Sequence, residues 1–294
     1  MYKVKKLNDI LILSDDKEHT VAKIALNDQG ARLIALSHDG NDIIKDLENK
    51  PYDLSQAGAI LFPFANRIKG GAYNFKGETY QLECNEPDAD NAIHGLVFNK
   101  TFSLDIIDEK ADRAKVRLSY TEKHPPEGFP FKYDIEVTYT LNESELILKV
   151  NVRNIGESPF PFNLGWHPYF CVDDFDTSFL AFNSHKQVIF NDDMIALGIA
   201  EAVIPNPYSL KDKTLDDCFL LLDKTVEFYT NRYKISIEGK PKSNYLQIYA
   251  PPGEKRLAIE PMTGISDSFN HKRGIHILKP YQEKSETWKI TFKH

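Results

Sequence analysis

Tyr133-Asp134-Ile135-Glu136-Val137-Thr138-Tyr139-Thr140-Leu141-Asn142-Glu143-Ser144-Glu145-Leu146-Ile147-Leu148-Lys149-Val150-Asn151-Val152 is the stretch that decides the fold. From Tyr133 to Leu141 every second residue is apolar and every residue between is polar, the period of a strand with one buried face. Asn142-Glu143-Ser144 supplies turn formers, and Glu145 to Val152 resumes as a second strand, so the segment folds back on itself as an antiparallel hairpin. Outward from it the same period recurs at Lys115–Thr121, Val226–Tyr229, Lys234–Glu238, Tyr245–Tyr249 and Glu286–Phe292. Toward the start, Val21–Leu26 and Arg32–Leu36 are separated by a turn at Asp28-Gln29-Gly30 and followed by another at His38-Asp39-Gly40. Tyr73 to Tyr80 reads as a hairpin turning at Lys76-Gly77. Many short strands with turn residues between them predict an all-β sandwich or barrel. No amphipathic helix of normal length is evident; short helical turns are expected at Ser55–Ile60 and Ser266–Phe269. No repeat or Pro/Gly/Ser linker divides the chain, so residues 1–294 read as one domain.

Bulk properties narrow the function. The chain has 294 residues, 41% hydrophobic and 27% charged, with a net charge of −7. Its basic clusters are short, such as Lys240-Pro241-Lys242, so a nucleic-acid partner is not expected and a neutral ligand fits better. Cys84, Cys171 and Cys218 form neither an even set nor a CxxC pair, which argues against a disulfide framework and a zinc site. The start is basic, but Asp15 and Asp16 interrupt it before any long apolar run, and no stretch has the length of a membrane span. A reducing, cytoplasmic setting is expected, with monomer and homodimer both open. There is no GxGxxG after a strand, no Walker loop, no GxSxG and no HExxH, so no nucleotide cofactor and no metal are expected.

The residues that remain as carriers of chemistry are acids, bases and hydrogen-bonding groups. In Phe162-Asn163-Leu164-Gly165-Trp166-His167-Pro168, strand alternation puts Phe162, Leu164 and Trp166 on a core face. Asn163, Gly165 and His167 fall on the other face, where the glycine leaves room for close approach. Glu260 repeats this design: in Arg256-Leu257-Ala258-Ile259-Glu260-Pro261, Leu257 and Ile259 face one way and Arg256, Ala258 and Glu260 the other. Burial there without partners would raise the carboxyl pKa. His94 precedes Gly95, which permits a turn or close backbone approach. Asn66-Arg67 follows an apolar run, and Asp216-Asp217 enters another. Taken singly, each has an ordinary structural reading: a strand-end or loop histidine, a surface glutamate, a solvated strand end.

Taken in order, they resemble a family. Asn66-Arg67-Ile68 through Gly77 resembles the "NRI…G.y.f.G" segment of the aldose 1-epimerases, or galactose mutarotases. His94-Gly95 resembles their "HG", His167-Pro168-Tyr169-Phe170 their "H.YF", and Asp216-Asp217-Cys218-Phe219 their "D..F". Leu246-Gln247-Ile248-Tyr249 is similar to "vQ.Y", and Glu260-Pro261 with Ser266 to Asn270 to "E…PD..N". The resemblance runs from Gly58 to Asn270. Leu96 after Gly95, Trp166 before His167 and Ser266 before Asp267 depart from the usual pattern and mark a divergent subgroup.

The resemblance implies a large antiparallel β-sandwich with a sugar cleft on a concave sheet face. It also implies interconversion of the α and β anomers of a free hexose such as glucose or galactose. Glu260 then matches the general base, His167 the general acid and His94 the second histidine; Asn66, Arg67, Asp216 and Gln247 match positions that hold sugar hydroxyls. Opening a hemiacetal needs one proton taken from the anomeric hydroxyl and one given to the ring oxygen, which a carboxylate and an imidazole can do without a cofactor. Three rivals stay open: a hexose 6-phosphate epimerase, for which Arg256 could meet the phosphate; a non-catalytic sugar-binding protein; and a glycosidase using Asp216 and Glu260.

Overall fold

A computed structural model describes every residue except Pro87, Asp88, Ser243 and His294. The hairpin read from the sequence is formed by strands Tyr133–Asn142 and Glu145–Asn154, paired antiparallel with Leu141 opposite Leu146. Ile135, Val137, Tyr139 and Leu141 are fully buried, while the residues between them are half-exposed, as the alternation requires. The turn is closed by Asn142, whose side-chain oxygen accepts from the backbone N–H of Ser144 and Glu145 at 3.0 and 2.9 Å.

This hairpin lies in a nine-stranded antiparallel sheet. In spatial order its strands are Ser103–Glu109, Arg113–Glu122, Tyr133–Asn142, Glu145–Asn154, Glu283–Lys293, Lys234–Lys240, Thr225–Tyr229, Phe179–Ala181 and Tyr208–Ser209. The facing sheet has thirteen strands. Its main path runs Tyr2–Leu7, Ile10–Asp15, Thr20–Ala25, Leu33–His38, Asn41–Lys45, Tyr169–Cys171, Arg256–Met262, Tyr245–Tyr249, Asp216–Leu221, Ser184–Phe190 and Ala196–Glu201. Ile60–Leu61 and Gly165–Trp166 join beside Arg256–Met262. The inner faces meet in one apolar core, with Leu11, Leu13 and Ile24 from the larger sheet against Val116, Leu118, Ile135 and Leu148 from the smaller. The protein is therefore an all-β, antiparallel β-sandwich. Among the described residues no helix is long and apolar enough to cross a membrane.

Three local expectations need correction. The first helical turn is Tyr52–Ser55, ahead of the expected Ser55–Ile60. Gln56 adopts a left-handed conformation that ends it, and Ile60–Leu61 is drawn into the sheet by pairing with Gly165–Trp166. The second is Ser268–His271, shifted two residues along because Asp267 is left-handed and begins it. The stretch Phe162 to His167 is also not one strand. Phe160–Phe162 and Gly165–Trp166 belong to different sheets, and Asn163 and Leu164 bridge them. Asn163 is tied inward, accepting from Ala65 N–H at 2.6 Å and donating to Ser268 Oγ at 2.6 Å. The space beside Gly165 is filled by Ala65, Leu61 and Met262, so that glycine serves packing rather than ligand approach.

Candidate active site

The larger sheet turns one small patch of side chains into the floor of a cavity of about 180 Å³. Pairing places Gln247 opposite Glu260, and in the next row places Asp216, Tyr249, Ala258 and Tyr169 side by side across four strands. Directly paired residues point to the same side of a sheet, so period-two alternation on each strand and lateral pairing between strands converge on one surface. His167, two residues before Tyr169, brings its Nε2 to 3.4 Å from Glu260 Oε1.

The opposite wall comes from a loop that follows the buried run Ile60–Ala65. Strand Arg67–Lys69 pairs with Asn91–Ile93, which sets Asn66 and His94 side by side at its end, with His94 N–H donating to Asn66 O at 3.0 Å. Both residues have positive φ, 59° and 62°. Gly95 makes the approach possible: its φ is +81°, and a Cβ there would lie 2.2 Å from Phe62 O. His94 meets His167 edge to face at 5.0 Å, and His167 stacks on Tyr169 at 4.9 Å. The His167 backbone is pinned as well, its N–H donating to Ala59 O and its carbonyl accepting from Gly58 N–H.

A polar chain fixes the remaining groups. Gln247 Nε2 donates to Asp216 Oδ1 at 2.6 Å, and Asn66 Nδ2 to Gln247 Oε1 at 3.5 Å. Asn66 Oδ1 accepts from Arg67 N–H at 2.9 Å. Arg67 gives both Nε and Nη2 to Glu86 Oε1, at 2.8 and 2.6 Å, while Glu86 Oε2 accepts from Asn91 Nδ2 at 3.0 Å. Such charge-assisted contacts hold a guanidinium in one orientation.

Burial dominates the electrostatics. It raises the Glu260 pKa well above the usual carboxylate value, with the Asp216 charge adding to the effect and Arg67 opposing it. It lowers His167 to about 4 and His94 well below an ordinary histidine, the latter helped by His167 and Arg67. Asp216 is pushed up to about 6, again by burial, against the pull of Arg67. Burial thus disfavours the charged form of all three groups, the Glu260 carboxylate and the two imidazoliums alike. His94 Nδ1, His167 Nδ1 and Glu260 Oε2 are buried with no hydrogen-bond partner. Buried polar atoms are normally paired, and with Gln56 Oε1 there are four unpaired on residues of this one cavity, which mark a surface shaped for a polar ligand.

All seven residues singled out in the sequence line this cavity: Asn66, Arg67, His94, His167, Asp216, Gln247 and Glu260. Of the adjacent acids it is Asp216 that does so; Asp217 turns away to Gln187 and Tyr208. Trp166 is in the core, stacked on Trp288. Arg256 does not line the cavity, and its guanidinium meets Glu48 at 3.2 Å. The sequence reading missed Lys50, Asp53, Gln56, Glu86 and Tyr249. Tyr249 was within reach, two residues from Gln247 on the same strand face. The segment Lys50–Gln56 carried no signal, because only the tertiary fold lays it against His167.

With this geometry, an aldose 1-epimerase family model matches residues 12–291. The chain belongs to the aldose 1-epimerase family. Among its relatives is the uncharacterized protein YihR of Escherichia coli K12, 27% identical over 269 residues, which cover 85% of this chain and 82% of that one. Human galactose mutarotase is 33% identical over 124 residues, 42% of this chain and only 33% of the human protein. Two solved structures share the fold along almost their whole lengths. A galactose mutarotase-like protein from Clostridium acetobutylicum has a TM-score of 0.88 at 20% identity, covering 100% of this chain and 98% of that one. Galactose 1-epimerase from Lactobacillus acidophilus has a TM-score of 0.80 at 17% identity, with the same coverage.

Proposed function

We propose that the chain, acting as one domain over residues 1–294, is an aldose 1-epimerase that interconverts the anomers of a free hexose. The observation that carries the reading is the buried pair His167 and Glu260, Nε2 to Oε1 3.4 Å, at the floor of a cavity sized for one monosaccharide. Sugar hydroxyls that donate to Glu260 stabilise its carboxylate against the effect of burial, and a proton leaving Glu260 goes to His167, whose Nε2 is 3.4 Å away. Glu260 then takes the proton of the anomeric hydroxyl while His167 protonates the ring oxygen. The ring opens, C1–C2 rotates, and closure runs the two transfers backward. Asp216, Gln247, Asn66 and Arg67 hold the remaining hydroxyls through a network that is already connected, so little ordering is left for the substrate to impose.

A phosphorylated hexose is disfavoured by the charges in the cavity. Asp53, Glu86 and Asp216 line it against Lys50 and Arg67, and Arg67 is already matched by Glu86. Two histidines whose rings meet at 5.0 Å also go beyond what a two-carboxylate glycosidase or a passive binding protein requires. The test is polarimetry on freshly dissolved α-glucose and α-galactose. The protein should speed relaxation of the rotation, and Glu260→Gln should remove the acceleration. No acceleration on any common aldose would refute the reading, and a preference for glucose 6-phosphate would replace the free hexose with its phosphate.

A further inference from the structure

Gln56 shares a property with the three residues to which acid/base roles are given. Its Oε1 is buried without a hydrogen-bond partner, and the residue, 4% exposed, lines the same cavity as His94, His167 and Glu260. Its backbone is fully committed. The N–H donates to Tyr52 O at 2.7 Å, and the carbonyl accepts from Ala59 N–H at 3.0 Å. The conformation is left-handed, φ 47° and ψ 33°, at the end of the helix Tyr52–Ser55. A glutamine in that conformation, with its amide oxygen buried and unpaired, destabilises the fold unless something else satisfies it. Its neighbours in the sequence fix where it stands. Gly58 donates to the His167 carbonyl and Ala59 accepts from the His167 N–H, so the chain that carries Gln56 runs beside His167, and both residues line the cavity.

We propose that Gln56 is a specificity-determining residue whose amide pairs with a hydroxyl on the part of the sugar nearest His167. A neutral amide accepts through Oε1 and donates through Nε2, so both ends of the group can pair with sugar hydroxyls, whereas only Nε2 can act toward an anionic substituent. The proposal rests on the hexose reading of the site and deepens it: Gln56 joins Asn66, Arg67, Asp216 and Gln247 as a further hydroxyl-reading group on the same cavity.

The experiment compares wild type with Gln56→Met, which keeps the length and volume of the side chain and removes its hydrogen bonds. Circular dichroism and thermal melting check that the variant is folded. Each protein is assayed by polarimetry on glucose, galactose and their deoxy analogues lacking one hydroxyl each, and binding of the same sugars is followed by titration calorimetry. The variant should lose about tenfold or more in kcat/KM on the better of the two parent sugars. It should also lose the wild-type penalty against one particular deoxy analogue, the one lacking the hydroxyl that Gln56 holds. If the variant ranks every analogue as wild type does, the proposal is overturned while the hexose reading stands. If wild type binds these sugars without speeding mutarotation, catalysis is refuted and the same comparison is read in Kd. If no sugar binds, both fall.

Discussion

Replacing His167 with glutamine should change how stability depends on pH, and by a predictable amount. His167 is buried, and its pKa is lowered from 6.5 to about 4 because burial disfavours the imidazolium. A lowered histidine stabilises the fold fully above its unfolded value of 6.5, and that contribution is lost as pH falls toward 4. At about 1.4 kcal/mol per pH unit, the loss comes to about 3 kcal/mol. Glutamine keeps polar atoms in nearly the same volume but does not titrate. The raised carboxyl of Glu260 acts with the opposite sign, stabilising below its unfolded value, but it is present in both proteins and cancels in the comparison. His94 reinforces the effect, because His167 is one cause of its lowered pKa. Urea unfolding of both proteins at about pH 7 and about pH 4, followed by tryptophan fluorescence, gives the two differences in free energy. The gap between His167→Gln and wild type should shift by about 3 kcal/mol in favour of the variant on acidification. Parallel curves would refute the claim that burial lowers the His167 pKa.

Two further predictions follow the polar chain. Asp216→Asn removes a negative charge that raises Glu260, so the limb of the kcat/KM profile assigned to Glu260 should move to lower pH, and the profile should lose any inflection near 6 that Asp216 contributes. A pH–rate series on wild type and variant checks both shifts; an unmoved limb would separate the two carboxyl groups. Glu86→Gln should free Arg67 from its double contact and lower kcat/KM by about ten- to a hundredfold, while thermal melting changes little, because the pair is partly exposed. Unchanged kinetics would show that Arg67 needs no anchor.

Much of the fold was legible in the sequence because a strand writes its buried face every second residue. Tyr133–Leu141 and Glu145–Val152 needed nothing beyond that rule and an asparagine at the turn. Phe162–His167 defeated it, since alternation cannot show that Asn163 and Leu164 carry the chain from one sheet to the other. Asn66, His94, His167, Asp216, Gln247 and Glu260 were each weak alone and became visible through their order in a family resemblance.

The sequence by itself determined which residues of a strand share a face, which is the buried one in Tyr133–Asn142, and so which neighbours Glu260 and Gln247 accompany on their own strands. Alternation is a local consequence of backbone geometry and needs no partner. Only the tertiary structure decided that Arg256–Met262 lies between Tyr169–Cys171 and Tyr245–Tyr249, and that lateral order sets Glu260 against His167 and Gln247. The same holds for Gln56, whose neighbours in the chain meet the His167 backbone across more than a hundred residues. Pairing order is fixed by the free energy of the whole sandwich, and so is the burial that raises the Glu260 pKa and lowers those of the histidines.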